Sequence, residues 1–87
     1  MKRSKFDEDR YFEVGRILDE KFPYECCRYE NWIIARAFGY RVEDDLTEDK
    51  VRRQLLANIE DGFMTYGESL TMFPKYMEVI AELKKMF

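Results

Sequence analysis

Apolar residues return along this chain every three or four positions, the spacing that lines one face of an α-helix. Tyr11, Val14, Leu18 and Phe22 form the first such series and predict a helix from about Phe6 to Phe22. Ser4, with Asp7 three residues on, resembles a capping box at its start, and Pro23 ends it. The stretch PYECCRYENWIIARAFG gives the second element. Trp32 to Phe38 is apolar apart from Arg36, so residues 24–39 also fit a buried strand. Helix is the better reading, because Cys26, Tyr29, Ile33 and Ala37 share a helical face with Ile34 and Phe38 beside it. Pro23 suits a first helical position and Gly39 a left-handed terminator. A strand would also need a partner, and no other segment alternates with period two.

The third helix is announced by Thr47, a good N-cap, with Glu48 and Asp49 in the first turn, where the helix dipole favours negative charge. Leu46 and Val51 stand at hydrophobic-staple positions. Val51, Leu55, Ile59 and Phe63 then form one stripe with Leu56 adjacent, which predicts a helix running to Tyr66 and stopping at Gly67, weakened in its middle by Gly62. Pro74 opens the fourth helix, in which Tyr76, Ile80, Leu83 and Phe87 recur at steps of four, three and four. The expectation is an all-α fold: one compact domain, residues 1–87, of about four helices. Its expected core is Tyr11, Val14, Leu18, Ile33, Ile34, Phe38, Leu55, Ile59, Phe63, Ile80 and Leu83.

Composition sharpens this picture in three ways. A chain of 87 residues buries only about 60 to 65% of its unfolded surface, yet 16% of it is aromatic, so some rings are expected to remain exposed. Such rings either snorkel at the rim of a core or serve an interface. Fifteen Lys and Arg against eighteen Asp and Glu give a net charge of -3, which ranks nucleic acid below protein as a partner. The opening MKRSK lacks the apolar run of a signal peptide, and no stretch reaches the roughly 18 to 20 apolar residues of a membrane span. A cytoplasmic protein is expected. The only cysteines, Cys26 and Cys27, are adjacent, which suits neither a disulfide scaffold nor a zinc site in a chain without histidine.

Candidate chemistry concentrates in RVEDDLTEDK, residues 41–50. A calcium loop starting at Asp45 would have Lys50 at its glycine position and Leu56 as its twelfth residue; one starting at Asp44 would have Leu46 third. Glu48 and Asp49 face Arg52 and Arg53 at i,i+4, which predicts surface ion pairs rather than a catalytic carboxylate dyad. Ser4 and Ser69 lack a histidine to activate them, Cys26 and Cys27 read as small buried hydrophobes, and the four glycines form no phosphate loop. An enzyme is not expected, nor is any cofactor or metal. A helix-turn-helix pairing of helices two and three is disfavoured by the seven mostly acidic residues between Gly39 and Thr47.

Two readings of Glu43, Asp44 and Asp45 follow: a solvated helix entry, or a fixed acidic knob that attracts a basic surface. The second gives the functional expectation of a non-enzymatic protein-binding module, with Tyr40 as a ring anchor and Glu60 and Asp61 joining if the fold brings them close. The partner expected is a protein with a basic surface, such as the nucleic-acid groove of a nuclease or effector. Inhibitors of the anti-defence or immunity type share this general character, by analogy only. The alternatives are a helical nucleic-acid adaptor or a subunit of a homodimer or larger homo-oligomer.

Overall fold

A computed structural model describes residues 5–87. The fold is all-α, with four α-helices and one 3₁₀ turn among the described residues: α1 (Glu8–Lys21), α2 (Glu25–Tyr40), the turn Glu43–Leu46, α3 (Glu48–Glu60) and α4 (Tyr66–Met86). Residues 25–39 are therefore helical, not a strand, with Tyr24 as the extended residue just before the helix. Backbone contacts divide the chain after Leu46 into two units, the first holding α1 and α2 and the second, Thr47–Phe87, holding α3 and α4.

In the first unit α1 starts two residues later than the periodicity predicts, because Asp7 is its N-cap and accepts the amide of Arg10 at 3.0 Å. The proposed cap Ser4 lies outside the described residues. Phe22 closes the helix, and α2 begins at Glu25 rather than at Pro23. Gly39 does not terminate α2. The left-handed residue is Arg41, at φ 56°, and the amides of Arg41 and Val42 return to the carbonyls of Phe38 and Ala37, the two bonds of a Schellman motif. Gly39 is helical and matters for another reason: a β-carbon there would overlap the ring of Phe6.

The buried face of α2 is also rotated from the predicted one. Cys27, Glu30, Asn31, Ile34, Ala35, Ala37 and Phe38 are buried, whereas Tyr29 is 61% exposed and Cys26 and Ile33 are half-buried. Apolar residues lie nearly all around this helix, so hydrophobicity alone left its orientation open. Polar bonds to α1 orient it: Asp19 accepts from Asn31 Nδ2 at 3.0 Å and from Trp32 Nε1 at 3.1 Å, and Asn31 also donates to the carbonyl of Phe22. Tyr11, placed in the core by its spacing, is only half-buried.

In the second unit Thr47 caps α3 by accepting the amide of Lys50 at 3.4 Å, and Val51 is buried. The helix stops at Glu60, well short of Tyr66. Gly62, at φ 80°, takes the left-handed position, and the amides of Gly62 and Phe63 return to Ile59 and Asn58 in a second Schellman motif. Gly62 is thus the stop signal, not a weak point in mid-helix. The stripe ends with it, leaving Ile59 half-buried and Phe63 62% exposed. A capping box then starts α4 eight residues before Pro74: Thr65 accepts the amide of Glu68, and the Glu68 carboxylate accepts the amide of Thr65. Pro74 consequently sits inside the helix. Val51, Leu55 and Asn58 on α3 and Tyr76, Ile80 and Leu83 on α4 are the buried residues these two helices contribute.

Candidate interaction surface

Five aromatic rings of the first unit touch in series. Tyr40 lies 4.7 Å from Phe6, Phe6 5.3 Å from Tyr11, and Tyr11 5.1 Å from both Phe12 and Trp32, all centroid to centroid. Their planes are tilted or edge-on, the arrangements that align positive ring edges with negative faces. None of the five is buried: Phe12 is 47% exposed and Tyr40 36%, while Phe6, Tyr11 and Trp32 are half-covered. The series depends on three helix-level facts. Asp7, capping α1, donates its own amide to the Gly39 carbonyl at 2.8 Å and so pins the approach of the chain to the end of α2. The missing side chain of Gly39 admits Phe6, and the missing side chain of Gly15 admits Trp32.

Charge collects where this series ends. The guanidinium of Arg36 stands 5.7 Å from the Tyr40 centroid, within cation–π range. Phe6 opens on a shallow recess that it lines with Lys5, Asp7, Glu8, Asp9 and Arg41. Arg10 pairs with Asp7 at 3.6 Å, while Glu8 and Asp9 are exposed in the first turn of α1. Just beyond Arg41, Asp44 and Asp45 are exposed on the 3₁₀ turn that Glu43 opens, and the Asp45 amide returns to the Val42 carbonyl at 3.2 Å. The turn gives the acidic segment a set backbone instead of a bare linker.

Of the residues picked out by sequence, Tyr40, Glu43, Asp44 and Asp45 fall together at the end of the first unit. Glu60 and Asp61 belong to the second, exposed at the end of α3 and about 20 Å along that helix from its cap Thr47. Sequence reasoning missed Phe6, Phe12, Glu8 and Asp9 as neighbours of this corner. Only the acidic run Asp7–Asp9 ahead of a helical stripe hinted at them.

Other chemistry is sparse. Cys26 and Cys27 are both thiols with sulfurs 3.7 Å apart, Cys27 fully buried. Among the described residues no group of three or more Cys, Asp or Glu is placed to hold a metal ion, and no helix is long and apolar enough to cross a membrane. The pairs expected on α3 are present, Arg52–Glu48 at 3.4 Å and Arg53–Asp49 at 3.8 Å, both exposed. No protein-family model, curated protein or solved structure matches the chain.

Proposed function

We propose that this protein is a non-enzymatic binding module that uses the aromatic and acidic corner of its first unit to occupy a basic surface on another protein. The observation that carries the reading is the half-covered series Tyr40–Phe6–Tyr11–Trp32, whose end ring, Tyr40, precedes the exposed Asp44 and Asp45 by four and five residues. Rings held by one another cost little entropy to immobilise and bury large area, which is why they anchor interfaces. Carboxylates around them select a basic partner and speed encounter. A groove built for nucleic acid offers that complement, since it is lined with Lys and Arg and takes flat stacking groups. The partner class is therefore a nucleic-acid-binding or nucleic-acid-cleaving protein, which the module would inhibit by occupation.

Affinity capture from the source cell tests this with the wild type, an Asp44→Ala, Asp45→Ala double variant and Tyr40→Ala. The expected partner is basic, binds more weakly at high salt, is lost with both variants, and is displaced by added nucleic acid. A partner retained unchanged by both variants removes the corner from consideration. A salt-sensitive mobility shift of DNA or RNA by the protein alone would favour a nucleic-acid adaptor instead.

A further inference from the structure

Cys26 and Cys27 stand in the first turn of α2, roughly 20 Å along that helix from Tyr40, and take no part in the aromatic and acidic corner. Neighbouring positions on a helix point about 100° apart and do not face each other. These two side chains nevertheless turn together. Both are thiols, and their sulfurs are 3.7 Å apart. Cys26 is half-buried and Cys27 fully buried, so the pair is a dithiol with one residue reachable from solvent and the other directly behind it.

What such a pair can hold is set by its bite. Disulfide closure is disfavoured: consecutive α-carbons stand about 3.8 Å apart, below the roughly 4.4 Å at which disulfides begin, and the sulfurs would have to close to about 2.05 Å. An atom bound at about 2.3 Å to each sulfur, the length of a zinc–thiolate bond, spans 3.7 Å with an angle of about 107° between its two bonds. That angle is far from the straight line of a two-coordinate ion. A tetrahedral ion would fit the angle but needs four ligands, and among the described residues no group of three or more Cys, Asp or Glu is placed to hold a metal ion. A pyramidal centre needs only two sulfurs when it brings its third substituent with it. We propose that Cys26 and Cys27 form a capture site for monosubstituted trivalent arsenicals. The reaction is a condensation in which the Cys26 sulfur bonds arsenic first and the Cys27 sulfur second. Both S–H bonds and the bonds from arsenic to its oxygen break, two arsenic–sulfur bonds form, the two protons leave with the oxygen as one water, and arsenic stays trivalent throughout. The second bond forms within the complex, at the high effective concentration of an adjacent side chain.

Phenylarsine oxide added to the full, folded chain tests the proposal, with intact mass as the readout. The expected product is one arsenical per chain with loss of one water, both thiols protected from a thiol reagent, and helical circular dichroism retained. A 1,2-dithiol such as ethanedithiol should release the arsenical, and a monothiol at the same concentration should not. Cys26→Ser and Cys27→Ala should each weaken retention roughly a hundredfold or more, since one sulfur alone lacks the gain from chelation. Cys26 is only half-buried, so its variant keeps the test independent of the core. A complex that a monothiol strips as readily as a dithiol, full retention by either single variant, or labelling that requires urea would each overturn it.

Discussion

The indole Nε1 of Trp32 donates to the Asp19 carboxylate across 3.1 Å while the same ring occupies the space that a β-carbon on Gly15 would need. One residue of α2 is thus fixed against α1 at two points a helical turn apart. Asn31 adds a bond to the other oxygen of Asp19, and no buried side-chain polar atom among the described residues lacks a partner. Asp19→Ala removes the acceptor for both donors and should lower stability by about 1 to 3 kcal/mol, with Asp19→Asn, which keeps one acceptor oxygen, falling between. Urea unfolding followed by the emission of the single tryptophan checks this. An unchanged midpoint in the alanine variant would show that the lock contributes nothing.

Gly15→Ala separates helix propensity from packing. In an exposed helix the change adds up to about 1 kcal/mol of stability. Here the new methyl group overlaps the Trp32 ring, which Asp19 holds in place, and overpacking of this kind costs about 1 to 3 kcal/mol. The net effect expected in thermal unfolding is destabilisation. Gly39→Ala meets the ring of Phe6 first, so its expected signature is different: a smaller change in stability and weaker binding by the aromatic corner.

Arg41 holds a left-handed conformation that favours glycine, at φ 56°. Relieving that conformation is worth about 1 to 2 kcal/mol, part of which is returned through the greater freedom of glycine in the unfolded chain. Arg41→Gly should therefore raise stability by about 0.5 to 1 kcal/mol, visible as a higher denaturant midpoint at constant slope. A drop would mean that the Arg41 side chain holds the recess beside Phe6 together.

Signals confined to one turn were legible in the sequence. Thr47 caps α3, and Glu48 and Asp49 reach Arg52 and Arg53, because all these partners lie within four residues. Helix ends were less legible wherever two local signals competed. Gly39 and Gly67 were the expected stops; the chain ended α3 at Gly62 instead and passed through Gly39 to Arg41, where the ring of Phe6, more than thirty residues away, fills the space a side chain on Gly39 would need. Likewise Thr65 and Glu68, a capping box visible in TYGE, outranked the proline eight residues on. The acidic residues of the candidate corner could be read as exposed. The ring series beside them could not, since Phe6, Trp32 and Tyr40 meet only once α1 and α2 pack.

Leu55 and Ile59 were equivalent by spacing and differ in the fold. Leu55 is fully buried and Ile59 half-buried. Leu55→Ala should cost about 2 to 5 kcal/mol, the range for a buried site that relaxes incompletely, and Ile59→Ala distinctly less. Equal losses in chemical unfolding would place Ile59 in the core after all.

Pro74 offers the sharpest test of how α4 is built. Eight residues into the helix, it has no amide to give the Leu70 carbonyl, and its ring crowds that same group. Proline in a helix interior is about 3 kcal/mol less favourable than alanine. Pro74 is exposed, so its ring buries little area to offset the loss. Pro74→Ala restores the bond and should stabilise the protein by about 1 to 3 kcal/mol; a larger and more flexible unfolded ensemble returns some of the gain. Pro74→Gly should recover roughly 1 kcal/mol less than alanine, because glycine restores the amide but not the propensity. The ordering of midpoints expected in urea is therefore Ala above Gly, and Ala above the natural proline, at equal slopes. If the natural proline proves the most stable of the three, α4 does not run unbroken through residue 74 in solution, and its helix starts where the proline stands.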